Sequence, residues 1–419
     1  MNKDKRSFWL TLAIINLCIV AFLGFSLRSK ILFPLPFLDY SGLLSAHSHF
    51  AFAGWVGLSL ITLFVYDVLP ATLSNNRIYQ LVLAGIEISG LGMAFGFPFY
   101  GYNSLTIAFS TVYILAVAVF VPLFVRDVFN SSIERSVKLL SVVAVTSLLL
   151  SFLGTVGLMY IIVTRSGGSL LYRDSIYIFL HFQYNGFFTL SVFALIFNYL
   201  VKKGLFQNRN SWLFSIFLCS SIIPALFLAL LWHNKTSFYL LAALGCLLIL
   251  LTLVYFFLLL KTTALKEMFA SGISRVFLLF SLVSFVLKML LQVGTIFPQL
   301  GNAVYGDRPV IIGFLHLVFL GFITFFLLAL LIENGYFSRP GKQVVIPFVV
   351  FSFGIIANEV VLMLQGLGIL LNTNSDIYKW LLWGAAIILF TGAFLIAFSR
   401  LNIVLGTKNK ATRLDGFTK

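Results

Sequence analysis

The chain has 419 residues, of which 60% are hydrophobic and only 10% are charged. Soluble domains carry about 25% charged residues, so this composition excludes a soluble globular protein and predicts a polytopic membrane protein in a lipid bilayer. The net charge of +15 comes from lysines and arginines in short segments between apolar stretches, which is typical of membrane topology signals and not of nucleic-acid binding.

Twelve apolar stretches are each long enough to cross about 30 Å of hydrocarbon as a helix. In chain order they are residues 7–27, 41–69, 77–98, 104–126, 136–164, 176–202, 211–233, 238–261, 273–297, 309–333, 343–370 and 377–403. We number these predicted spans 1 to 12.

Most of the 28 lysines and arginines fall in the segments that share a side with the N-terminus. By the positive-inside rule this predicts a bacterial-type inner membrane protein with both termini in the cytoplasm. We therefore predict an all-α fold, with one twelve-helix transmembrane domain over residues 1–403. A short basic cytoplasmic tail, residues 404–419, follows it. No clear internal repeat of the kind found in transporters is visible.

The five histidines all lie near the ends of apolar stretches. The predicted topology puts His47, His49, His181, His233 and His316 in the outer third of the bilayer. Histidine at membrane depth is costly, so each of them is a candidate functional residue. His47 and His49 are two residues apart, so on a regular helix they point about 200° away from each other and serve different sites.

Histidines on spans 2, 6, 7 and 10 of a twelve-span chain resemble the catalytic subunit of the haem–copper oxidases and their nitric oxide reductase relatives. Residues 46–55 look like the span-2 pattern of the C-type oxidases and reductases. Residues 313–321 look like the span-10 motif His-x-His-x4-Gly. The resemblance implies a bundle similar to cytochrome c oxidase subunit I, with a low-spin haem b held by His47 and His316.

The same resemblance implies a second metal, copper or non-haem iron, at His181 and His233, with His49 as its third ligand. An enzyme of this family reduces oxygen or nitric oxide with electrons from a cytochrome c-type or quinol donor. Imidazole suits copper, iron and zinc alike, so the ligand type does not name the metal.

The chain departs from the family at the second site. Phe314 stands where the family has the ligand of a high-spin haem, and His233 stands alone where the family has two adjacent histidines. Tyr184 follows His181 by three residues, whereas the cross-linking tyrosine of the A-type enzymes follows by four.

Two other functions are therefore carried alongside a terminal oxidase or nitric oxide reductase. The pair His47 and His49, with His316 and Gly321, is also similar to the NnrS-type membrane haem–copper proteins of the nitric oxide response, which would have no oxidase activity. The other alternative is a membrane transporter whose histidines only form hydrogen bonds between helices.

Small residues accompany the proposed haem ligands. Gly54 and Gly57 in span 2, and Gly313 and Gly321 in span 10, would let a flat macrocycle approach the helices. The same residues also serve ordinary helix packing in membranes.

Three ionisable residues lie deep in predicted spans: Glu87 in span 3, Lys288 in span 9 and Glu359 in span 11. Such groups usually pair with each other or line a pathway for protons. We expect structural pairing, for example of Lys288 with a carboxylate, and a proton pathway is the alternative. Tyr184 is a further candidate for either role.

Overall fold

The computed structural model describes residues 2–164, 169–262, 265–337, 342–371, 373 and 375–415, and within them the regular secondary structure is helical, without a strand. Twelve helices of this described part are long and apolar enough to cross a membrane. They are α1 (Asp4–Leu32), α2 (Tyr40–Val68), α3 (Arg77–Tyr100), α4 (Ser104–Phe129), α5 (Arg135–Ile161), α6 (Leu170–Lys203), α7 (Arg209–His233), α8 (Thr236–Thr262), α9 (Gly272–Gly294), α10 (Arg308–Glu333), α11 (Val345–Ile369) and α12 (Ile377–Gly406). The predictions of an all-α fold and of twelve spans are confirmed.

The connections between these helices are short. Three of them contain small helices, at Ala71–Ser74, Leu265–Met268 and Pro298–Gly306. At the C-terminal end the helix that contains α12 continues to Asp415, so the segment predicted to be a basic tail begins as a continuation of the last span. Residues 416–419 of that predicted tail lie outside the described residues.

The chain divides into two compact units. Unit 1 comprises Met1–Thr62, Leu83–Tyr113 and Leu327–Lys419, and unit 2 comprises Leu63–Val82 and Ile114–Phe326. The prediction of a single membrane domain stays a prediction, and each unit is described by itself below.

Unit 1 joins its first and last helices through a buried arginine. The Arg400 guanidinium donates to Thr11 Oγ1 at 3.0 Å, to the Tyr336 carbonyl at 2.6 Å and to Ser7 Oγ at 2.6 Å. Because a buried guanidinium is costly unless its N–H groups are bonded, these three bonds fix α12 against the start of α1.

Unit 2 has a core of interlocking phenylalanines. The Phe193 ring lies 4.6 Å from the Phe214 ring and 4.7 Å from the Phe285 ring, measured between centroids. Tilted and edge-to-face contacts of this kind add to the free energy that the rings gain from burial. They join α6, α7 and α9.

Four of the twelve helices depart from α-helical geometry. A π-helix, in which the N–H of each residue bonds to the carbonyl five residues earlier, replaces the α-helix at Ala51–Gly57 and Phe64–Val68 of α2, at Phe182–Phe188 of α6 and at Leu317–Thr324 of α10. Helix α7 ends in a 3₁₀ segment at Phe227–His233. Long π segments are rare and occur mostly at functional sites, so these helices define the region to examine.

Helix α2 begins with a side-chain cap. The Asp39 carboxylate accepts from Ser41 Oγ at 2.6 Å and from the Gly42 N–H at 2.7 Å. Both bonds favour the ionised carboxylate, so they hold the pKa of Asp39 below its ordinary value of 3.8. A capping carboxylate of this kind stabilises the first turn of a helix.

We predict that replacing Asp39 by Asn removes an acid-sensitive part of the stability. Because the pKa of Asp39 is lower in the folded chain, its contribution is complete above the unfolded value and is lost as the pH falls through the folded value. The thermal midpoint of the wild type in detergent should therefore fall faster on acidification than that of Asp39→Asn, whose amide still caps the helix. Parallel pH profiles for the two proteins would contradict this role.

Candidate functional site

Helix α1 orients the ring of His47. The His47 Nδ1 atom lies 3.1 Å from the carbonyl oxygen of Val20. A carbonyl can only accept, so Nδ1 carries the proton and the lone pair of the neutral ring lies on Nε2. The ring also lies against Gly24, where an added methyl group would be 3.0 Å from Cε1. Both contacts hold the ring with Nε2 as its metal-binding nitrogen.

His49 and His316 share one arrangement on two different helices. The Nδ1 of His49 lies 2.8 Å from the Ser45 carbonyl, and the Nδ1 of His316 lies 2.8 Å from the Ile312 carbonyl. Each acceptor is four residues earlier on the same helix, so the lone pair of each neutral ring again lies on Nε2.

The two histidines of α2 contact different surroundings, as the spacing predicted. The His49 ring lies 5.0 Å from the Phe97 ring, at the end of α3, whereas His47 contacts α1.

His181 has the opposite arrangement, and both of its ring nitrogens have protein partners. Nε2 lies 2.8 Å from the Ile222 carbonyl on α7, so Nε2 carries the proton. Nδ1 therefore accepts from the Asn185 amide, 3.1 Å away. The side chain is 2% exposed, and it joins α6 to α7 by a hydrogen bond between helices. Binding a metal through either nitrogen would require one of these bonds to break.

His233 is bonded to a carboxylate at the end of α7. Its Nε2 lies 2.9 Å from Asp174 Oδ2, and Trp232 Nε1 donates to Asp174 Oδ1 at 2.9 Å. Because the carboxylate accepts from Nε2, the lone pair of the neutral His233 ring lies on Nδ1. Metal-binding histidines commonly donate their other N–H to a carboxylate in this way.

The histidines of α2, α6 and α10 all lie where the α-helix changes to a π-helix. His181 and His316 are the last residues of their α segments. His49 is the last but one, before the π segment that starts at Ala51. The change of helix type and the candidate ligands thus coincide in three separate spans.

Lys288 is 1% exposed, and its partners differ from the prediction. Its ammonium donates to Thr189 Oγ1 at 3.3 Å and lies 3.6 Å from Met289 Sδ. Among the residues that the structure describes, the bonded partner is thus a hydroxyl on α6 and not the expected carboxylate.

Glu87 and Glu359 are paired with asparagines. Glu87 Oε2 accepts from Asn16 Nδ2 at 2.7 Å, and Glu359 Oε1 accepts from its neighbour Asn358 at 3.1 Å. Neutral amides therefore serve both carboxyl groups, and a proton pathway through them stays a prediction.

Tyr184 and Phe314 lie against each other. Their ring centroids are 5.8 Å apart in an edge-to-face contact. These are the two positions at which the chain departs from the oxidase pattern, and the aromatic contact shows that both belong to one packed region of unit 2.

Two partners of the histidines were not identified from the sequence. Asn185 follows His181 by four residues, and this spacing puts both side chains on one face of a helix, so it could have been found. Asp174 lies in another span from His233, and nothing in the sequence pairs the two.

The second metal site stays a prediction. Within the described part of the chain, no group of three or more histidine, cysteine, aspartate or glutamate side chains is arranged to hold a metal ion. His49 belongs to unit 1, whereas His181 and His233 belong to unit 2.

Comparison of the chain with protein-family models and with curated protein sequences finds no match.

We predict that His181→Ala destabilises the protein more than His49→Ala does. Removing His181 leaves the Ile222 carbonyl and the Asn185 amide buried without their partner, which costs about 1–3 kcal/mol. His49 bonds only within its own helix, so its loss should cost less. Unfolding of both variants in the same detergent measures the difference, and equal losses would show that His181 does not bridge α6 and α7.

Proposed function

We propose that this chain is a membrane haem protein of the haem–copper oxidase subunit I type. Its low-spin haem b has His47 and His316 as axial ligands. The orientation that goes with this proposal is a bacterial-type inner membrane with both termini in the cytoplasm, from the distribution of lysine and arginine.

The observation that carries the proposal is the tautomer of these two rings. In both, Nδ1 donates to a backbone carbonyl, at 3.1 Å for His47 and at 2.8 Å for His316. A histidine that ligates a metal through one nitrogen typically donates the other N–H in this way, which fixes the ring and makes the ligating nitrogen more basic. The π segment that starts after His316 is a further feature of functional sites.

A bis-histidine haem, when bound, takes up and releases one electron. The chain's own residues then have separate tasks. Val20 and Ile312 hold the Nδ1 protons of the two ligands, and Gly24 leaves room for the His47 ring. Apolar helices keep water from the ligands.

Reduction of oxygen or nitric oxide requires the second metal site, and its histidines differ in how well they suit it. His233 is supported, because Asp174 holds it in the manner of a metal ligand. His181 is less suited, because both of its nitrogens are bonded within the protein.

The Tyr184–Phe314 contact favours a haem protein without oxidase activity, as in the NnrS-like alternative. A transporter with structural histidines has one observation in its favour, the bridge that His181 makes between α6 and α7. That alternative requires a colourless protein.

We predict that the purified protein carries one low-spin haem b, and that either His47→Ala or His316→Ala abolishes its spectrum. Losing one axial nitrogen removes the six-coordinate state, because no other side chain is held in its place. Oxidised and dithionite-reduced absorption spectra, with a pyridine haemochrome count, measure this.

His49→Ala and His233→Ala are the matched controls, since each removes a histidine from the same group of spans and should leave the low-spin spectrum intact. A spectrum lost in His49→Ala and kept in His47→Ala would transfer the ligand to the other histidine of α2. Two haems, one of which binds carbon monoxide, would restore the oxidase. A colourless wild type would reject the haem proposal in favour of the transporter.

A further inference from the structure

One short sequence pattern occurs in all three helices that contain a histidine followed by a π segment. The pattern is histidine, an aromatic residue three positions later, glycine five positions later and a second aromatic residue directly after it. It is found at residues 49–55 of α2, 181–187 of α6 and 316–322 of α10. The three helices are each the second of four consecutive spans: α1–α4, α5–α8 and α9–α12.

The first helix of each group packs against the π segment of the second. Helix α1 contacts Ala51–Gly57, α5 contacts Phe182–Phe188, and α9 contacts Leu317–Thr324. The same order of elements and the same packing partner thus occur three times along the chain.

A side-chain hydrogen bond joins the two helices in every group. Asn16 of α1 donates to the Gly54 carbonyl at 2.8 Å, and Ser281 of α9 donates to the Phe322 carbonyl at 2.7 Å. In the middle group the π segment is the donor, from Gln183 to Ser151 Oγ of α5 at 3.0 Å.

The glycine of the pattern leaves no space for a methyl group. A Cβ added at Gly186 would lie 2.4 Å from Ser147 Cβ on α5, and one added at Gly321 would lie 2.7 Å from Ser284 Oγ on α9. In the first group a Cβ at Gly54 would meet the Phe50 ring at 2.3 Å. Small residues of this kind let two helices approach closely in a membrane.

We propose that the chain consists of three four-helix repeats, and that the glycine of each π segment fixes the second helix against the first. In the third repeat this contact makes Gly321 and Ser284 positioning residues for His316. This part of the inference rests on the proposed function, because it takes His316 to be a haem ligand.

The repeats differ in what the equivalent histidine does. His49 and His316 have the same Nδ1 bond to the carbonyl four residues earlier. His181 instead bonds across to α7 and to Asn185. The second repeat therefore provides a natural control, with the same helix contact but a histidine that bridges helices.

The test compares Gly321→Ala with Gly186→Ala in the full-length protein purified in detergent. Each variant adds one methyl group that collides with a serine of the neighbouring helix, so both should lower the thermal midpoint. Only Gly321→Ala should also lose haem b absorbance or shift its bands, because only that π segment orients a haem ligand.

A second substitution tests the contact itself. Ser284→Gly in the Gly321→Ala background removes both atoms that the methyl group meets, and should restore the midpoint and the spectrum together. Ser147→Gly should restore the midpoint of Gly186→Ala in the same way. An unchanged spectrum in Gly321→Ala, equal haem loss in Gly186→Ala, or no rescue of the spectrum would overturn the positioning role.

The outcomes also separate this inference from the proposed function. A wild type without haem rejects the proposed function and, with it, the positioning role. The thermal midpoints still decide the repeat: recovery at both serine–glycine pairs supports it, whereas purely additive effects at either pair overturn it.

Discussion

Hydrogen bonds between histidine rings and backbone carbonyl groups determine what these histidines can bind. A carbonyl has no proton to give, so each such bond places the proton of the ring on the bonded nitrogen and the lone pair on the other. In His47, His49 and His316 the bonded nitrogen is Nδ1, and in His181 it is Nε2. The same residue type thus serves either as a candidate ligand or as a link between helices.

The π segments matter for the same reason, which is that a membrane interior offers no water to satisfy backbone groups. Bonds in a π-helix run to the fifth residue, so a change of helix type disturbs the regular pairing of carbonyls. Side chains of neighbouring helices supply partners there, from Asn16 to Gly54 and from Ser281 to Phe322. The position of each histidine therefore depends on contacts with another helix as well as on its own.

Buried charges in this chain are met by neutral groups. Lys288 donates to the hydroxyl of Thr189, and Glu87 accepts from the amide of Asn16. Arg400 bonds to two hydroxyls and a carbonyl. Taking a charge out of water is costly, and hydrogen bonds recover part of that cost. The expectation of paired opposite charges was wrong for Lys288 because a hydroxyl on α6 was already within reach.

Composition and hydropathy alone determined the class of this protein, its all-helical structure and its twelve spans, because every span must be apolar over about 30 Å. The five histidines could also be chosen from the sequence, since polar residues in such spans are few. Their roles could not, because the tautomer of each ring depends on which carbonyl or carboxylate another part of the chain brings near it. Asp174 and Ile222 are remote in sequence from the rings they contact, and only the tertiary structure brought them together.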